Sequence, residues 1–184
     1  MSRLVVVLPL EPLGVGDGFT LKDWPLHLTV APTFVIGDDV ATDTAKVLAA
    51  ISPVLTKQQH LTVRAGLDSG FGHSGKIPVT LIEPSVDLVG LHDRLVAALL
   101  GVGAAFDDPE FVGKGYQPHV SVTRSARVSL GEVRTLRQAA LVDMAPAGDR
   151  RLRRVVWVRN FTDPKAANDE PAANPNGHPL PGHC

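Results

Sequence analysis

Short apolar runs punctuated by Gly, Pro and polar residues fill most of the chain before position 163. Leu4–Leu8, Leu26–Ala31, His60–Ala65, Ile77–Ile82, Pro118–Thr123, Ala139–Met144 and Val155–Phe161 are brief and rich in Val, Leu and Thr, a pattern that predicts strands. Two other segments have helical spacing. Val40, Val47, Leu48, Ile51 and Leu55 fall near one face after Asp38 and Asp39, which can cap the start, while Pro53 speaks against the last turn. Ser85 then stands as N-cap before Leu88, Leu91, Leu95 and Leu99, with Gly101 as the stop. The predicted helices are 40–55 and 86–100. The order is strand, strand, helix, strand, strand, helix and three strands, with several connections too short for a crossover helix. An α+β fold of two similar halves with mostly antiparallel sheets follows.

From Asp163 to Cys184 the composition changes: five prolines in 22 residues and no Val, Ile, Phe, Trp or Tyr. Such a segment cannot bury enough apolar area to offset the entropy of ordering it. The expectation is one folded unit over 1–162 and a disordered tail over 163–184. His178, His183 and Cys184 in that tail lack regular ligand spacing and are read as incidental. With 18 Lys+Arg against 19 Asp+Glu in 184 residues, the net charge of -1 argues against coating nucleic acid by bulk charge. The single Cys excludes an internal disulfide framework and any Cys-based zinc module. The run Leu4–Leu8 is too short for a signal-peptide core, and no apolar stretch is long enough to span a bilayer. A cytoplasmic, soluble monomer is expected.

The strongest chemical signal is a tetrapeptide that recurs 92 positions later: His27-Leu28-Thr29-Val30 and His119-Val120-Ser121-Val122. In a strand, side chains at i and i+2 share a face, about 6 to 7 Å apart. Each motif therefore presents one imidazole beside one hydroxyl, with the intervening apolar residues facing the core. Two such strands side by side would gather two imidazoles and two hydroxyls around one small cavity, as in-line cleavage of a phosphodiester requires. A neutral imidazole takes a proton from the attacking group and a protonated one gives a proton to the leaving oxygen. The hydroxyls donate to the non-bridging phosphate oxygens, where charge builds up.

Paired His-x-Ser/Thr-x motifs on strands of two similar lobes resemble the 2H phosphoesterase superfamily, which includes 2′-5′ RNA ligase-like proteins and RNA cyclic phosphodiesterases. The stretch Tyr116-Gln117-Pro118-His119-Val120-Ser121-Val122 also carries the aromatic and proline that often precede the histidine there. The resemblance covers residues 1–162 and implies an α+β fold of two pseudo-symmetric lobes whose antiparallel sheets line a central cleft, with helices outside. It implies that His27 and His119 are the general acid/base pair and that Thr29 and Ser121 are phosphate ligands. It further implies hydrolysis of a 2′,3′-cyclic phosphate or a 2′-5′ linkage in a nucleotide or RNA end, with no metal and no cofactor. The first lobe departs from the pattern: a short stretch with Gly14, Gly16 and Gly18 separates the first strand from the first motif, where many members have a helix.

His60-Leu61-Thr62-Val63 repeats the first tetrapeptide as spelled. His27 is preferred because it precedes the helix at 40–55, whereas His60 follows it in a position suited to sheet building. His92 lies on the apolar stripe of its helix and is assigned to packing. His73, in a glycine-rich loop, is read as solvated or touching substrate. Residues 114–159 hold ten Lys/Arg and three Asp/Glu, a local excess that can steer an anion. Lys114 and Arg124 flank the second motif and are the cations expected nearest the site. Tyr116, Trp24 and Phe71 are candidates for stacking on a base. Two other readings stay open: a hydrolase of cyclic di- or oligonucleotide signals, and a non-catalytic module that holds a nucleotide or RNA in the same cleft. A histidine metal site is poorer, because two histidines without a nearby pair of carboxylates supply too few ligands.

Overall fold

The computed structural model describes residues 2–37, 39–123 and 126–163. Ten strands and two helices succeed one another as β1 (Ser2–Pro9), β2 (Gly18–Thr20), β3 (His27–Ile36), α1 (Val40–Thr56), β4 (Leu61–Phe71), β5 (Ile77–Ile82), α2 (Val86–Gly101), β6 (Ala105–Phe106), β7 (His119–Ser121), β8 (Val133–Leu136), β9 (Gln138–Asp143) and β10 (Leu152–Asn160). All seven predicted strands and both helices are present. The α+β expectation holds. β3 and β4 run past their predicted ends, while the second-motif strand is trimmed to three residues. Three short strands fall outside the prediction: β2, β6 and β8. Each takes its conformation from a partner across the sheet (β10, β3 and β4) rather than from an apolar alternation of its own. The predicted tail beyond Asp163 lies outside the described residues.

The strands form one sheet in the order β2-β10-β9-β1-β3-β7-β5-β4-β8, with β6 added beside β3. Every pairing between these strands is antiparallel, and the isolated bridge from Gln59 to Thr162 is parallel. The path divides at β3–β7, where Leu28 stands opposite Val120. On one side lies the half built on β1, β3, β9 and β10, and on the other the half built on β4, β5, β7 and β8. The two motif strands are thus the neighbouring edges of the two halves.

Both helices cover one face of this sheet. Asp39 caps α1 by accepting from Thr42 N at 2.8 Å, and Ser85 caps α2 by accepting from Leu88 N at 3.2 Å. Pro53 sits inside α1 without ending it. Its ring removes one intrahelical donor, and the buried Ile51 and Leu55 on either side hold the last turns against the core. Val47, Ile51 and Leu55 of α1 and Leu88, Leu91, Leu95 and Leu99 of α2 pack in one cluster with Leu4, Val6 and Leu8 of β1, Leu28 and Val30 of β3 and Val120 of β7. Each such side chain contributes about 1.5–3 kcal/mol by leaving water. Strand alternation then turns His27, Thr29, His119 and Ser121 to the face away from the helices. A smaller cluster of Val5, Val7, Ala140, Val142 and Val155 backs that second face, with Trp24 and Met144 packed against it.

Candidate active site

An antiparallel register centred on Leu28 and Val120 sets His27 across from Ser121 and Thr29 across from His119. Directly opposed Cβ atoms lie about 4.5–5.5 Å apart and diagonal ones about 7–8 Å apart. The four polar residues therefore occupy the corners of a rectangle, the histidines on one diagonal and the hydroxyls on the other. The two copies of the motif are related by a local two-fold axis through the Leu28–Val120 pair.

The symmetry extends to how each imidazole is held. His27 Nδ1 lies 2.7 Å from the Pro25 carbonyl, and His119 Nδ1 lies 2.8 Å from the Gln117 carbonyl, two residues back in both cases. Because a carbonyl only accepts, Nδ1 carries the proton in each ring and Nε2 is left with its lone pair. An aromatic ring covers one face of each imidazole: Trp24 on His27 with centroids 4.1 Å apart, and Phe71 on His119 at 3.9 Å. Burial, opposed by the hydrogen bond to Pro25 and aided by the repulsion of a charge on His119, brings His27 from its ordinary 6.5 down to about 4. Burial lowers His119 too, and the hydrogen bond to Gln117 opposes that shift.

These residues border a cleft of about 580 Å³ that His27, Thr29, His119 and Ser121 all line, together with Leu21, Lys22 and Ile77 at its rim. Neither the Thr29 nor the Ser121 hydroxyl has a hydrogen bond to another described residue. A smaller pocket of about 180 Å³ adjoins the cleft beside His119 and Thr29 and is walled by Trp24, Phe71, Phe111 and Tyr116. Among the described residues, no group of three or more His, Cys, Asp or Glu could hold a metal ion.

Trp24 and Phe71 reach the site as ring partners of the histidines. Tyr116 borders the smaller pocket, donates its hydroxyl to the Thr29 carbonyl at 3.0 Å and stacks flat on His92 at 3.8 Å. Burial raises its phenol pKa, so the hydroxyl keeps its proton. His92 is fully buried, as its place on the apolar stripe implied. Its Nδ1–H donates to the Val30 carbonyl at 2.7 Å and its Nε2 accepts from Gly113 N at 2.9 Å. It thereby ties α2 to β3 and to the loop before the second motif. Lys114 is exposed and is not among the residues lining either cavity, and Arg124 lies outside the described residues.

The rival motif is elsewhere. His60 precedes β4, which is separated from β7 by β5, and its Nδ1 accepts from Arg137 at 3.4 Å. His73 reaches the carboxylates of Asp108 at 3.2 Å and Glu110 at 3.0 Å, so it fastens the β4–β5 hairpin to the loop that carries Phe111. Asp108, Phe111, Gln117, Thr33 and Met144 line the cavities without having been marked by the sequence. Most come from loops or strand ends, where no periodicity singles out a residue. One of the i−2 carbonyls did have a signal: Pro118 biases Gln117, whose carbonyl orients His119, toward extended backbone.

The fold and the two-fold-related histidines define a bilobal, two-histidine protein. Solved structures share that fold at low identity. A phosphoesterase structure is 16% identical, covers 88% of this chain and 99% of its own, and superposes with a TM-score of 0.55. A protein of Thermus thermophilus is 14% identical over the same shares, with a TM-score of 0.56. LigT of E. coli, solved with 3′-AMP, is 16% identical, covers 88% of this chain and 99% of its own, and has a TM-score of 0.55. No curated protein matches the chain. The family model of the 2′-5′ RNA ligase superfamily matches residues 16–147, most of the chain, and the protein belongs to that superfamily. The resemblance to 2H phosphoesterases is confirmed.

Proposed function

We propose that the protein is a metal-independent phosphodiesterase that hydrolyses 2′,3′-cyclic phosphates or 2′-5′ linkages of nucleotides or RNA ends. The observation that carries this reading is the rectangle of two imidazoles and two hydroxyls, with both rings oriented by i−2 carbonyls so that Nε2 is left for chemistry. The depressed pKa of His27 makes it the base. A proton on His119 disfavours a second one on His27, so the singly protonated pair carries its proton on His119. His27 Nε2 then takes a proton from the attacking water, whose oxygen bonds to phosphorus. The bond from phosphorus to the leaving oxygen breaks, and His119 Nε2–H protonates that oxygen. Thr29 and Ser121 donate to the non-bridging oxygens as charge accumulates there. The similarity to a fold solved with 3′-AMP supports a nucleotide as ligand.

The test is hydrolysis of 2′,3′-cyclic mononucleotides, a 2′-5′-linked dinucleotide and a cyclic dinucleotide, in chelator, from about pH 4 to 9. Activity needs His27 neutral and His119 protonated. The kcat/KM profile should therefore be a bell that rises through the His27 ionisation near 4, falls through that of His119 below 6.5, and peaks on the acid side. Complete loss of activity in chelator would overturn the metal-independent mechanism. Turnover of the cyclic dinucleotide alone would move the assignment to signal hydrolysis. Binding of nucleotides without turnover would make the protein a binding module.

A further inference from the structure

The smaller pocket beside His119 combines flat aromatic walls with one carboxylate, and from this we infer that the nucleoside held there is guanosine, selected by Asp108. The inference rests on the phosphodiesterase reading and names the base that reading leaves open. The pocket, about 180 Å³, is sized for a base rather than a whole nucleotide and opens onto the phosphate-binding rectangle through the shared Thr29 and His119. Phe71 and Phe111 stand with centroids 4.7 Å apart, and Trp24 and Tyr116 complete an apolar wall on which a planar base can stack.

Asp108 is the only carboxylate lining that pocket among the described residues. Its Oδ1 meets His73 Nε2 at 3.2 Å, and the other ring nitrogen of His73 meets Glu110 at 3.0 Å, so the carboxylate is oriented before any ligand arrives. An ionised carboxylate only accepts hydrogen bonds, and its two oxygens suit two adjacent N–H donors. Guanine alone among the four common bases offers such a pair, N1–H beside N2–H on one edge. Adenine and cytosine set an acceptor nitrogen next to their amino group, and uracil flanks its single N–H with two carbonyls, so each turns at least one lone pair toward the carboxylate. Thr33 and Gln117, two further polar side chains lining the pocket, can donate to the O6 carbonyl next to that donor pair. A site built around paired donors discriminates more strongly than shape alone, because the wrong base leaves its groups unmatched.

The experiment has two arms on the full chain. In the first, kcat/KM is measured for the 2′,3′-cyclic phosphates of guanosine, adenosine, cytidine and uridine with the wild-type protein and with Asp108→Asn. Guanosine should lead the other three by about tenfold or more, and the lead should collapse to about threefold or less in the variant. The ratio between bases is read, so a general loss of activity does not imitate the effect. In the second arm, guanosine and adenosine 2′-monophosphates are titrated against both proteins at equilibrium. Tighter guanosine binding that Asp108→Asn abolishes sustains the inference even where no substrate turns over, an outcome that would defeat the phosphodiesterase reading alone. Equal handling of the four bases in both arms, or a guanosine preference that survives Asp108→Asn, would overturn it.

Discussion

The burial of His27, on which its proposed role as base rests, also costs the protein stability in acid, and the cost can be worked out. In the unfolded chain His27 binds a proton at its ordinary 6.5, whereas in the fold it does so only at about 4. A histidine whose folded value is depressed leaves stability intact above 6.5. Stability is then lost as the pH falls through the window from 6.5 to about 4, because the unfolded state binds the proton first. At about 1.36 kcal/mol for each pH unit, the ceiling is about 3.4 kcal/mol below that window, and about 2 kcal/mol is already lost at about pH 5. His119 and His92 are lowered too, so the wild-type chain loses more than this in total. The share that belongs to His27 is isolated by His27→Gln, which keeps a neutral polar side chain and cannot take up the proton. Urea unfolding at about pH 7.5 and about pH 5 should show the variant losing about 2 kcal/mol less than the wild type between the two conditions. An identical loss in both proteins would refute the reasoning, since His27 would then titrate in the fold as it does in the unfolded chain.

His27→Ala and His119→Ala should each lower kcat by about 10²- to 10⁴-fold in the hydrolysis assay, with unchanged far-UV circular dichroism, whereas His60→Ala should stay close to wild type. An equal loss from His60→Ala would transfer the first half-site to the rival motif. Tyr116→Phe removes the donor to the Thr29 carbonyl and should cost about 1 kcal/mol in denaturant unfolding. Gly70→Ala drives a Cβ into the Gly75 carbonyl oxygen, so the β4–β5 hairpin must shift and Phe71 with it. Turnover should fall in that variant while the unfolding midpoint moves little, the hairpin tip being exposed. Leu95→Ala in the fully buried face of α2 should destabilise by about 2–5 kcal/mol without altering the pH profile of the remaining activity.

Much of this molecule can be read along the chain. The α2 boundaries follow from Ser85, the leucines at spacings of three and four, and Gly101. The seven main strands follow from Val- and Thr-rich runs between breakers. His27 and His119 stand out because each is followed two positions on by a hydroxyl with apolar residues between, a period-two pattern with a physical meaning only on a strand. That same local rule cannot separate His27 from His60, since the two tetrapeptides are identical and both adjoin or open strands. Strand order decides between them. β3 meets β7 across the Leu28–Val120 pair, while β4 pairs with β5 and β8.

Order in a sheet is set by which apolar faces the helices cover and which edges remain to pair, a long-range balance that no window of sequence contains. The tertiary structure likewise turned Trp24 and Phe71 onto the imidazoles and committed the Tyr116 hydroxyl to a backbone carbonyl. It also recruited Asp108 and Phe111 from a loop without periodicity. By itself the sequence determined the seven main strands, both helices and the side chains they bear, because alternation, capping and side-chain type are local properties. Which of those groups share a cavity, and how far burial shifts their proton affinity, depended on contacts between residues far apart in the chain.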